Sequence, residues 1–252
     1  MIRVGVSGAN GKMGREVVSA VEKDKELELT CAIDKYGAGE LLSCGVKVID
    51  VPKFDNVDII VDFTQPSCIF ENIKTYMKNK VKSVIGTTGL SEDEICKIEK
   101  MSKENNTGII IAPNFSIGAI LMMKYAKEAS KYFSNAEIIE YHHNQKKDAP
   151  SGTSIKTAQM MIENNNNFKL GNCDEKETIT GARGAESGSV QIHSVRMPGF
   201  VASQEVIFGS DGQTLKIRHD TINRSCYMSG VILAIKHLYN NNDFIYGLEN
   251  IL

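Results

Sequence analysis

The densest chemistry of the sequence lies within fourteen residues, at positions 140–153. The segment ends a predicted strand and carries two adjacent histidines and two lysines, His142, His143, Lys146 and Lys147. Histidine is the side chain best suited to moving protons near neutral pH, and lysine supplies positive charge. A helix is predicted to open at Ser151, so Gly152 and Thr153 offer free backbone N–H groups to a carboxylate or phosphate. The segment predicts a site for an anionic substrate that undergoes proton-coupled chemistry.

Each of these residues also has a simpler interpretation. The lysines could lie in a solvated loop, and Ser151 could serve only as the N-cap of its helix. The histidines could bind a metal, but only Asp148 or His193 would supply a third ligand, and zinc usually takes three protein ligands of suitable geometry. We therefore predict no metal ion. The coincidence of these residue types within fourteen positions favours a functional site.

A glycine-rich turn near the start of the chain is the second candidate site. Gly8, Gly11 and Gly14 are spaced as G-x-x-G-x-x-G between a predicted strand and a predicted helix. Such glycines allow a tight turn and let the backbone approach a pyrophosphate. Asp34 ends the second predicted strand, where an acid can accept the ribose hydroxyls of the adenosine half. A glycine turn alone is weak evidence, and Asp34 alone could be an ordinary turn residue. Together they favour nucleotide binding.

Lys35 follows Asp34 and could meet a 2′-phosphate, so NADH and NADPH are both expected as cofactors, with a mixed preference. Two further loops follow predicted strands at their carboxyl ends, where open α/β sheets bind ligands, although either loop alone is typical of ordinary turns. The predicted cofactor-binding residues are Gly8, Ala9, Asn10, Gly11, Lys12, Met13, Asp34, Lys35, Gly86, Thr87, Thr88, Ala112, Pro113, Asn114 and Phe115.

The first half of the chain alternates short apolar runs with amphipathic stretches. Strands are predicted at residues 2–7, 27–33, 58–63, 82–85 and 108–112. Helices are predicted at residues 12–23, 67–80 and 92–105. The last helix opens with a capping box formed by Ser91 and Glu94. This alternation predicts a doubly wound parallel sheet with helices on both faces.

The second half changes character. Helices are predicted at residues 117–134, 151–163 and 226–239. Strands are predicted at residues 136–142, 190–195, 204–209 and 214–219. The last three strands follow one another without helices, which suggests antiparallel pairing. The asparagine run at 164–167 is expected to be a solvated turn. Two domains follow, one α/β and one α+β.

Composition narrows the classes of function. With 29 basic and 31 acidic residues, a net charge of -2 excludes a globally cationic nucleic-acid or membrane-surface binder. No stretch approaches the roughly 18 apolar residues of a membrane span, and the first residues lack the apolar region of a signal peptide. The cysteines form no CxxC pair, so reduced thiols and a cytoplasmic location are expected. They are Cys31, Cys44, Cys68, Cys96, Cys173 and Cys226.

Residues 140–153 resemble the signature of the 4-hydroxy-tetrahydrodipicolinate reductase family of lysine and diaminopimelate synthesis. The family pattern E-x-H-H-x-x-K-x-D-A-P-S-G-T is matched at every fixed position. Further motifs of the family occur in order along the whole chain: the glycine turn, Asp34, Asp62-Phe63-Thr64 with Pro66, and residues 86–89, 112–116 and 192–196.

The resemblance implies an NAD(P)H-dependent reductase, usually a homotetramer, that converts a cyclic dicarboxylate to tetrahydrodipicolinate. It implies His142 as the proton donor and Lys146 as the residue that stabilises charge. The residues that it implies for holding a substrate carboxylate are His143, Gly152 and Thr153.

The resemblance also implies the fold, an α/β protein with a Rossmann-like parallel-sheet nucleotide domain. The second domain would be an α+β substrate domain with a mixed or antiparallel open sheet. The nucleotide domain would comprise residues 1–115 and 221–252, and residues 116–220 would form the substrate-binding and tetramerisation domain.

Two segments depart from the family pattern. Residues 36–57 look short, so one helix of the first domain is expected to be reduced or missing. Many members have the sequence G-G-D-I-V-G-E-H where this chain has residues 197–204. This difference is expected to change the local loop and the packing between subunits.

Two other functions agree less well with the sequence. Another nicotinamide dehydrogenase, such as an amino-acid dehydrogenase, would have no reason to share the His-His-Lys segment. A redox sensor that binds dinucleotide would give no account of Lys146 beside a carboxylate-binding helix start.

Overall fold

The computed structural model describes residues 1–165, 167–170 and 174–252. Asn166 of the predicted asparagine turn and Cys173 lie outside the described residues. The chain forms two compact units, Met1–Ser116 with Tyr227–Leu252, and Ile117–Cys226.

The first unit is built on a seven-stranded sheet whose strands are all parallel. The strands are β1 Ile2–Ser7, β2 Leu27–Ile33, β3 Val48–Ile49, β4 Ile59–Asp62, β5 Lys82–Ile85, β6 Ile109–Ile111 and β12 Phe244–Tyr246. Their order in the sheet is β12-β6-β5-β4-β1-β2-β3. Because the order reverses direction at β1, the carboxyl ends of β1 and β4 form the switch point where such sheets bind ligands.

Four helices cover this sheet: α1 Lys12–Lys23, α2 Ile69–Lys78, α3 Glu92–Asn105 and α6 Met228–Asn240. α1 packs against α6, and α2 packs against α3, so one pair lies on each face. The strands are therefore buried on both faces, which explains why β4 and β6 are uninterrupted runs of buried residues. The predicted capping box of α3 is confirmed, since the Ser91 hydroxyl accepts from the Glu94 N–H and the Glu94 carboxylate from the Ser91 N–H.

The segment between β2 and β4 contains no helix. Its regular structure is β3 and an isolated bridge between Leu41 and Lys47. The expectation of a reduced or missing helix between residues 36 and 57 is confirmed.

The second unit is built on a five-stranded mixed sheet. Its strands are β7 Asn135–His142, β8 Ala185–Ser187, β9 Val190–Arg196, β10 Ala202–Ser210 and β11 Gln213–Thr221. Their order is β11-β10-β7-β9-β8. Its helices are α4 Ile117–Ala129 and α5 Gly152–Asn164. Together the two sheets confirm the predicted fold class, a Rossmann-like α/β unit followed by an α+β unit with a mixed open sheet.

The expected antiparallel pairing of the last strands is half right. β10 and β11 form an antiparallel hairpin, but β9 and β10 are not neighbours, because β7 lies between them. β7 pairs parallel to β9 and antiparallel to β10. A short connection in the chain therefore does not make β9 and β10 neighbours, because each forms its hydrogen-bond ladder with an edge of β7.

The helix predicted at residues 117–134 ends earlier, at Ala129. The buried Ser130 hydroxyl donates to the Lys127 carbonyl at 2.7 Å, and the chain turns there. The turn directs Phe133 against Phe208, with ring centroids 5.4 Å apart. Packing of Phe133 therefore decides where the helix ends.

α4 and α5 cover one face of the second sheet, where alternate strand residues such as Ile138, Ile192 and Val206 form the core. The opposite face carries polar and half-buried side chains. There the Arg218 guanidinium lies over the Tyr141 ring at 4.9 Å and pairs with Glu205.

Candidate active site

β7 presents Glu140 and His142 on the same side, because side chains two positions apart in a strand share a face. The Glu140 side chain has no exposed surface, whereas 15% of the His142 side chain is exposed. A Glu140 carboxylate oxygen, Oε2, is hydrogen-bonded to His142 Nδ1. The strand thus places an imidazole at its end and a buried carboxylate directly behind it.

Arg196, on the neighbouring strand β9, completes this arrangement. Its two terminal nitrogens donate to Glu140 Oε2 and Oε1 at 2.8 and 2.7 Å, a bidentate ion pair. The Ser151 N–H donates to Glu140 Oε1 at 3.3 Å. Every Glu140 oxygen therefore accepts from a neighbour, which is what a buried carboxylate requires.

The pKa of Glu140 reflects a competition. Burial by itself would raise it, but hydrogen bonds from His142, Arg196 and Ser194 prevail and lower the pKa to about 2. At neutral pH the carboxylate is ionised and can only accept. His142 Nδ1 must therefore carry the proton, which leaves Nε2 for exchange with a ligand. Within the described residues no group is hydrogen-bonded to Nε2.

Lys146 lies in the loop after β7, and its ammonium donates to both Asp148 oxygens at 2.8 Å. This ion pair lowers the pKa of Asp148. Asp148 is 63% exposed, so the pair is held weakly and an anion can compete for Lys146. The loop is anchored by Arg196, which donates to the Asp148 carbonyl, and by the Lys146 N–H, which donates to the carbonyl of His143.

The start of α5 carries the backbone N–H groups that were predicted to bind an anion. The Ser151 hydroxyl caps the helix by accepting from the Ser154 N–H at 3.2 Å. The N–H groups of Gly152 and Thr153 form no hydrogen bond within the described residues. A Cβ placed on Gly152 would meet nothing within 4 Å, so the fold itself does not demand glycine there. This is the geometry of an anion-binding helix start whose approach must stay open.

The glycine-rich turn has the geometry that a dinucleotide needs. Gly8 has φ +80°, and a Cβ on Gly14 would lie 1.9 Å from the Gly8 carbonyl oxygen. Both positions therefore exclude a side chain. Gly11 gives α1 no side-chain cap, and the first turn carries no acid, so its N–H groups remain for a phosphate. The residues present fit a pyrophosphate at this helix start.

Asp34 follows β2 and is joined to the turn. Its Oδ2 accepts from the Asn10 N–H at 2.8 Å and its Oδ1 from the Tyr36 N–H at 2.9 Å. Lys35 beside it is exposed. The remaining lone pairs of Asp34 suit ribose hydroxyls.

The loops after β4 and β5 are joined through Asp62, a carboxylate with no exposed surface. It accepts from Thr64 Oγ1 at 2.7 Å, Tyr76 OH at 2.6 Å and Thr87 Oγ1 at 2.9 Å. Burial beside Asp62 raises the pKa of Tyr76, so Tyr76 remains a donor. This network sets the position of Thr87, one of the predicted cofactor residues.

Phe63 packs between two of these loops. A Cβ on Gly86 would lie 2.1 Å from its ring, and the ring of Phe115 is 5.7 Å away. Ala112 is buried, and Pro113 and Thr88 are exposed. The predicted cofactor residues thus lie together at the carboxyl edge of the first sheet, after β1, β2, β5 and β6. The predicted catalytic and substrate residues lie in the second unit, at the end of β7 and the start of α5.

Among residues 1–165, 167–170 and 174–252, no group of three or more His, Cys, Asp or Glu side chains is placed to hold a metal ion. None of the helices described is both long and apolar enough to traverse a bilayer. Cys31, Cys44, Cys68 and Cys96 are free thiols.

Sequence reasoning did not assign a role to three residues of these sites: Glu140, Arg196 and Asp62. The alternation Glu140-x-His142 was a signal that both side chains share a face. Arg196 offered no comparable signal, because it is 56 positions from Glu140 and meets it only through strand pairing.

A parallel sheet with a glycine turn at its switch point, and a second unit with a carboxylate-held histidine, define a dinucleotide-dependent oxidoreductase. Two family models match the chain, "Dihydrodipicolinate reductase, N-terminus" over residues 2–115 and "Dihydrodipicolinate reductase, C-terminus" over residues 118–252. The chain belongs to the dihydrodipicolinate reductase family. Membership gives it a reductase role in lysine biosynthesis.

Individual relatives support the same family assignment. A 4-hydroxy-tetrahydrodipicolinate reductase of Syntrophomonas wolfei is 48% identical over 99% of this chain and 98% of its own. One from Listeria monocytogenes serotype 4b is 47% identical, with both chains covered completely. A solved dipicolinate-bound dihydrodipicolinate reductase from Paenisporosarcina sp. TG-14 is 42% identical, covers both chains completely and has a TM-score of 0.90. A probable dehydrogenase from Thermotoga maritima, 14% identical with a TM-score of 0.68, shares the fold.

Proposed function

We propose that the protein reduces 4-hydroxy-tetrahydrodipicolinate to tetrahydrodipicolinate with NADH or NADPH. In balance, the substrate takes up one hydride and one proton and loses water. The observation that carries the proposal is the His142–Glu140–Arg196 arrangement beside the N–H groups of Gly152 and Thr153 at the start of α5. It combines a proton donor with an anion-binding helix start, as a cyclic dicarboxylate requires. The relatives named for this reaction add support.

The residues of the second unit have separate roles in this proposal. His142 gives up a proton from Nε2 when both ring nitrogens are protonated, while Glu140 accepts from Nδ1 and holds the ring in place. Lys146 offsets the negative charge that develops on the substrate as the hydride arrives. Gly152 and Thr153, with His143, hold a carboxylate and so orient the ring.

The residues of the first unit bind the cofactor, which when bound supplies the hydride. The turn formed by Gly8, Ala9, Asn10, Gly11, Lys12 and Met13 holds the pyrophosphate. Asp34 accepts the ribose hydroxyls, and Lys35 allows a 2′-phosphate, so both cofactors are used. The loops Gly86–Thr88 and Ala112–Phe115 line the nicotinamide half. If kcat/KM with NADPH were unaffected in Lys35→Ala, this role of Lys35 would be wrong.

Domain roles and assembly belong to the same proposal. Residues 1–115 and 221–252 bind the dinucleotide, and residues 116–220 bind substrate and form a homotetramer. The half-buried side chains Ile139, Tyr141 and Ile207, on the face of the second sheet opposite α4 and α5, favour this face as the contact between subunits. We expect Ile139→Lys to lower the mass seen by light scattering and Ile179→Lys, in an exposed loop, to leave it unchanged.

A cytoplasmic location, where NAD(P)H is regenerated, suits the reaction.

The decisive assay follows nicotinamide oxidation by absorbance, with the substrate made in situ from pyruvate and aspartate semialdehyde by the preceding synthase. We expect turnover that depends on both the synthase and this protein. If neither cofactor were oxidised, in a folded sample that still binds NADH, the proposed reaction would be refuted and a redox sensor would be favoured.

A further inference from the structure

The chain between β2 and β3 folds back onto the glycine-rich turn. The Gly39 N–H donates to the Val48 carbonyl at 2.9 Å, and the Val48 N–H donates to the Glu40 carbonyl at 2.8 Å. Gly37 has φ +79°, and a Cβ there would lie 2.3 Å from the side-chain nitrogen of Asn10. The close approach therefore depends on glycine at this position. It brings Glu40 to the turn.

Asn10 joins two carboxylates. Its backbone N–H donates to Asp34 Oδ2 at 2.8 Å, and its side-chain amide donates to Glu40 Oε2 at 3.3 Å. The amide also donates to the Tyr36 carbonyl at 2.8 Å, which fixes its orientation. In sheets of this class the acid after the second strand marks the place of the adenosine ribose. Glu40 thus adds a second negative charge beside the ribose.

Two lysines of the same segment, Lys35 and Lys47, carry the opposite charge. Lys35 is exposed and forms no ion pair within the described residues. The Lys47 side chain passes the backbone of Gly39, since its Cε lies 3.9 Å from a Cβ placed there. A phosphate on the ribose 2′ oxygen would therefore meet Asp34 and Glu40 as well as these cations. The ribose hydroxyls of NADH would meet the same carboxylates as hydrogen-bond acceptors.

We propose that Glu40 determines cofactor specificity and favours NADH over NADPH by repelling the 2′-phosphate. The inference rests on the proposed binding of a dinucleotide by this unit. It refines the mixed preference expected from Lys35, because Lys35 admits the phosphate and Glu40 weakens its binding. Between partly solvated charges, such repulsion corresponds to about three- to tenfold in affinity.

The test measures dissociation constants of NADH and NADPH with the full chain, by nicotinamide fluorescence and without substrate. Glu40→Gln keeps an acceptor for Asn10 while removing the charge, so it is expected to lower the ratio Kd(NADPH)/Kd(NADH) by at least about threefold. Lys35→Ala is expected to raise this ratio. The matched control is Glu104→Gln, which removes an exposed charge from the last turn of α3, at the opposite edge of the sheet, and should not change the ratio.

Ionic strength separates a charge effect from a structural one. The effect of Glu40→Gln should shrink as salt is raised, because screening weakens the repulsion. An unchanged ratio, or equal weakening of both cofactors at every salt concentration, would overturn the inference. A shifted ratio in a protein without turnover would support it and refute the reductase reaction alone. Failure of both dinucleotides to bind the unaltered protein would overturn both.

Discussion

Glu140 holds His142 by the ring nitrogen Nδ1, from a strand position two residues earlier and from a site with no exposed surface. Arg196 binds the same carboxylate through two nitrogens. His142 is therefore hydrogen-bonded to a buried carboxylate whose negative charge is balanced by a guanidinium. An exposed carboxylate would orient the ring less tightly, because water would compete for its oxygens. The pairing keeps a proton on His142 Nδ1, while Nε2 forms no hydrogen bond within the part of the chain that the structure describes.

Replacing His142 by glutamine should lower kcat by about 10²-fold or more, with a much smaller rise in KM, because general acid catalysis typically contributes that much. Steady-state kinetics with the in situ substrate measures both constants. His143→Gln serves as the comparison and should act mainly on KM, since His143 is assigned to carboxylate binding. An unchanged kcat in His142→Gln would remove His142 from the proton role.

The buried Glu140 should make stability depend on pH. Its folded pKa, about 2, lies below the ordinary value of 4.5, so the ionised form stabilises the fold. This stabilisation, roughly 3 kcal/mol, is complete above about pH 5.5 and is lost as pH falls toward 2. Glu140→Gln lacks it. Denaturant unfolding should therefore show a difference between the two proteins that narrows below about pH 5, and a difference independent of pH would contradict this origin.

Two glycine-to-alanine changes should have opposite consequences. Gly152→Ala should leave the melting temperature nearly unchanged, because the added Cβ has no atom within 4 Å. It should raise KM for the dicarboxylate, because the added methyl group obstructs the approach of a carboxylate to the start of α5. Gly14→Ala should cost about 1–3 kcal/mol or more, because its Cβ would collide with the Gly8 carbonyl. Calorimetry and kinetics on both variants distinguish the roles. Normal substrate affinity in Gly152→Ala would remove Gly152 from the site.

The Asp62 network should couple stability to cofactor binding. Asp62→Ala removes the carboxylate that accepts from the buried Tyr76 and Thr87 hydroxyls, at a cost of roughly 3 kcal/mol, and should weaken NADH binding by loosening Thr87. Tyr76→Phe removes one donor and should cost about 1 kcal/mol with little effect on NADH affinity. Equal effects of both variants on NADH affinity would show that Asp62 acts only through stability.

Local patterns predicted several elements to the residue, among them β1, α1, β2, β5 and α3. Each has a strong local signal, such as a glycine turn before α1 or a capping box before α3. β3, β8 and β12 were missed, because two or three residues show no periodicity and form strands only where an existing sheet edge pairs with them. The early end of α4 likewise depends on the contact between the Phe133 and Phe208 rings. These residues are far apart in the sequence, so no local pattern predicts that they meet.

By itself, the sequence determined the chemistry available to this protein: a phosphate-binding turn, an acid beside the ribose, and a histidine–lysine segment before a helix start. These features are local, since each arises within one strand and the turn that follows. The tertiary structure decided which groups support them. The register of β7 and β9 places Arg196 opposite His142 and Ser194 opposite Glu140, so a carboxylate and a guanidinium 56 positions apart meet in a buried ion pair. Strand pairing depends on the packing of the whole sheet, and for that reason no local pattern could specify it.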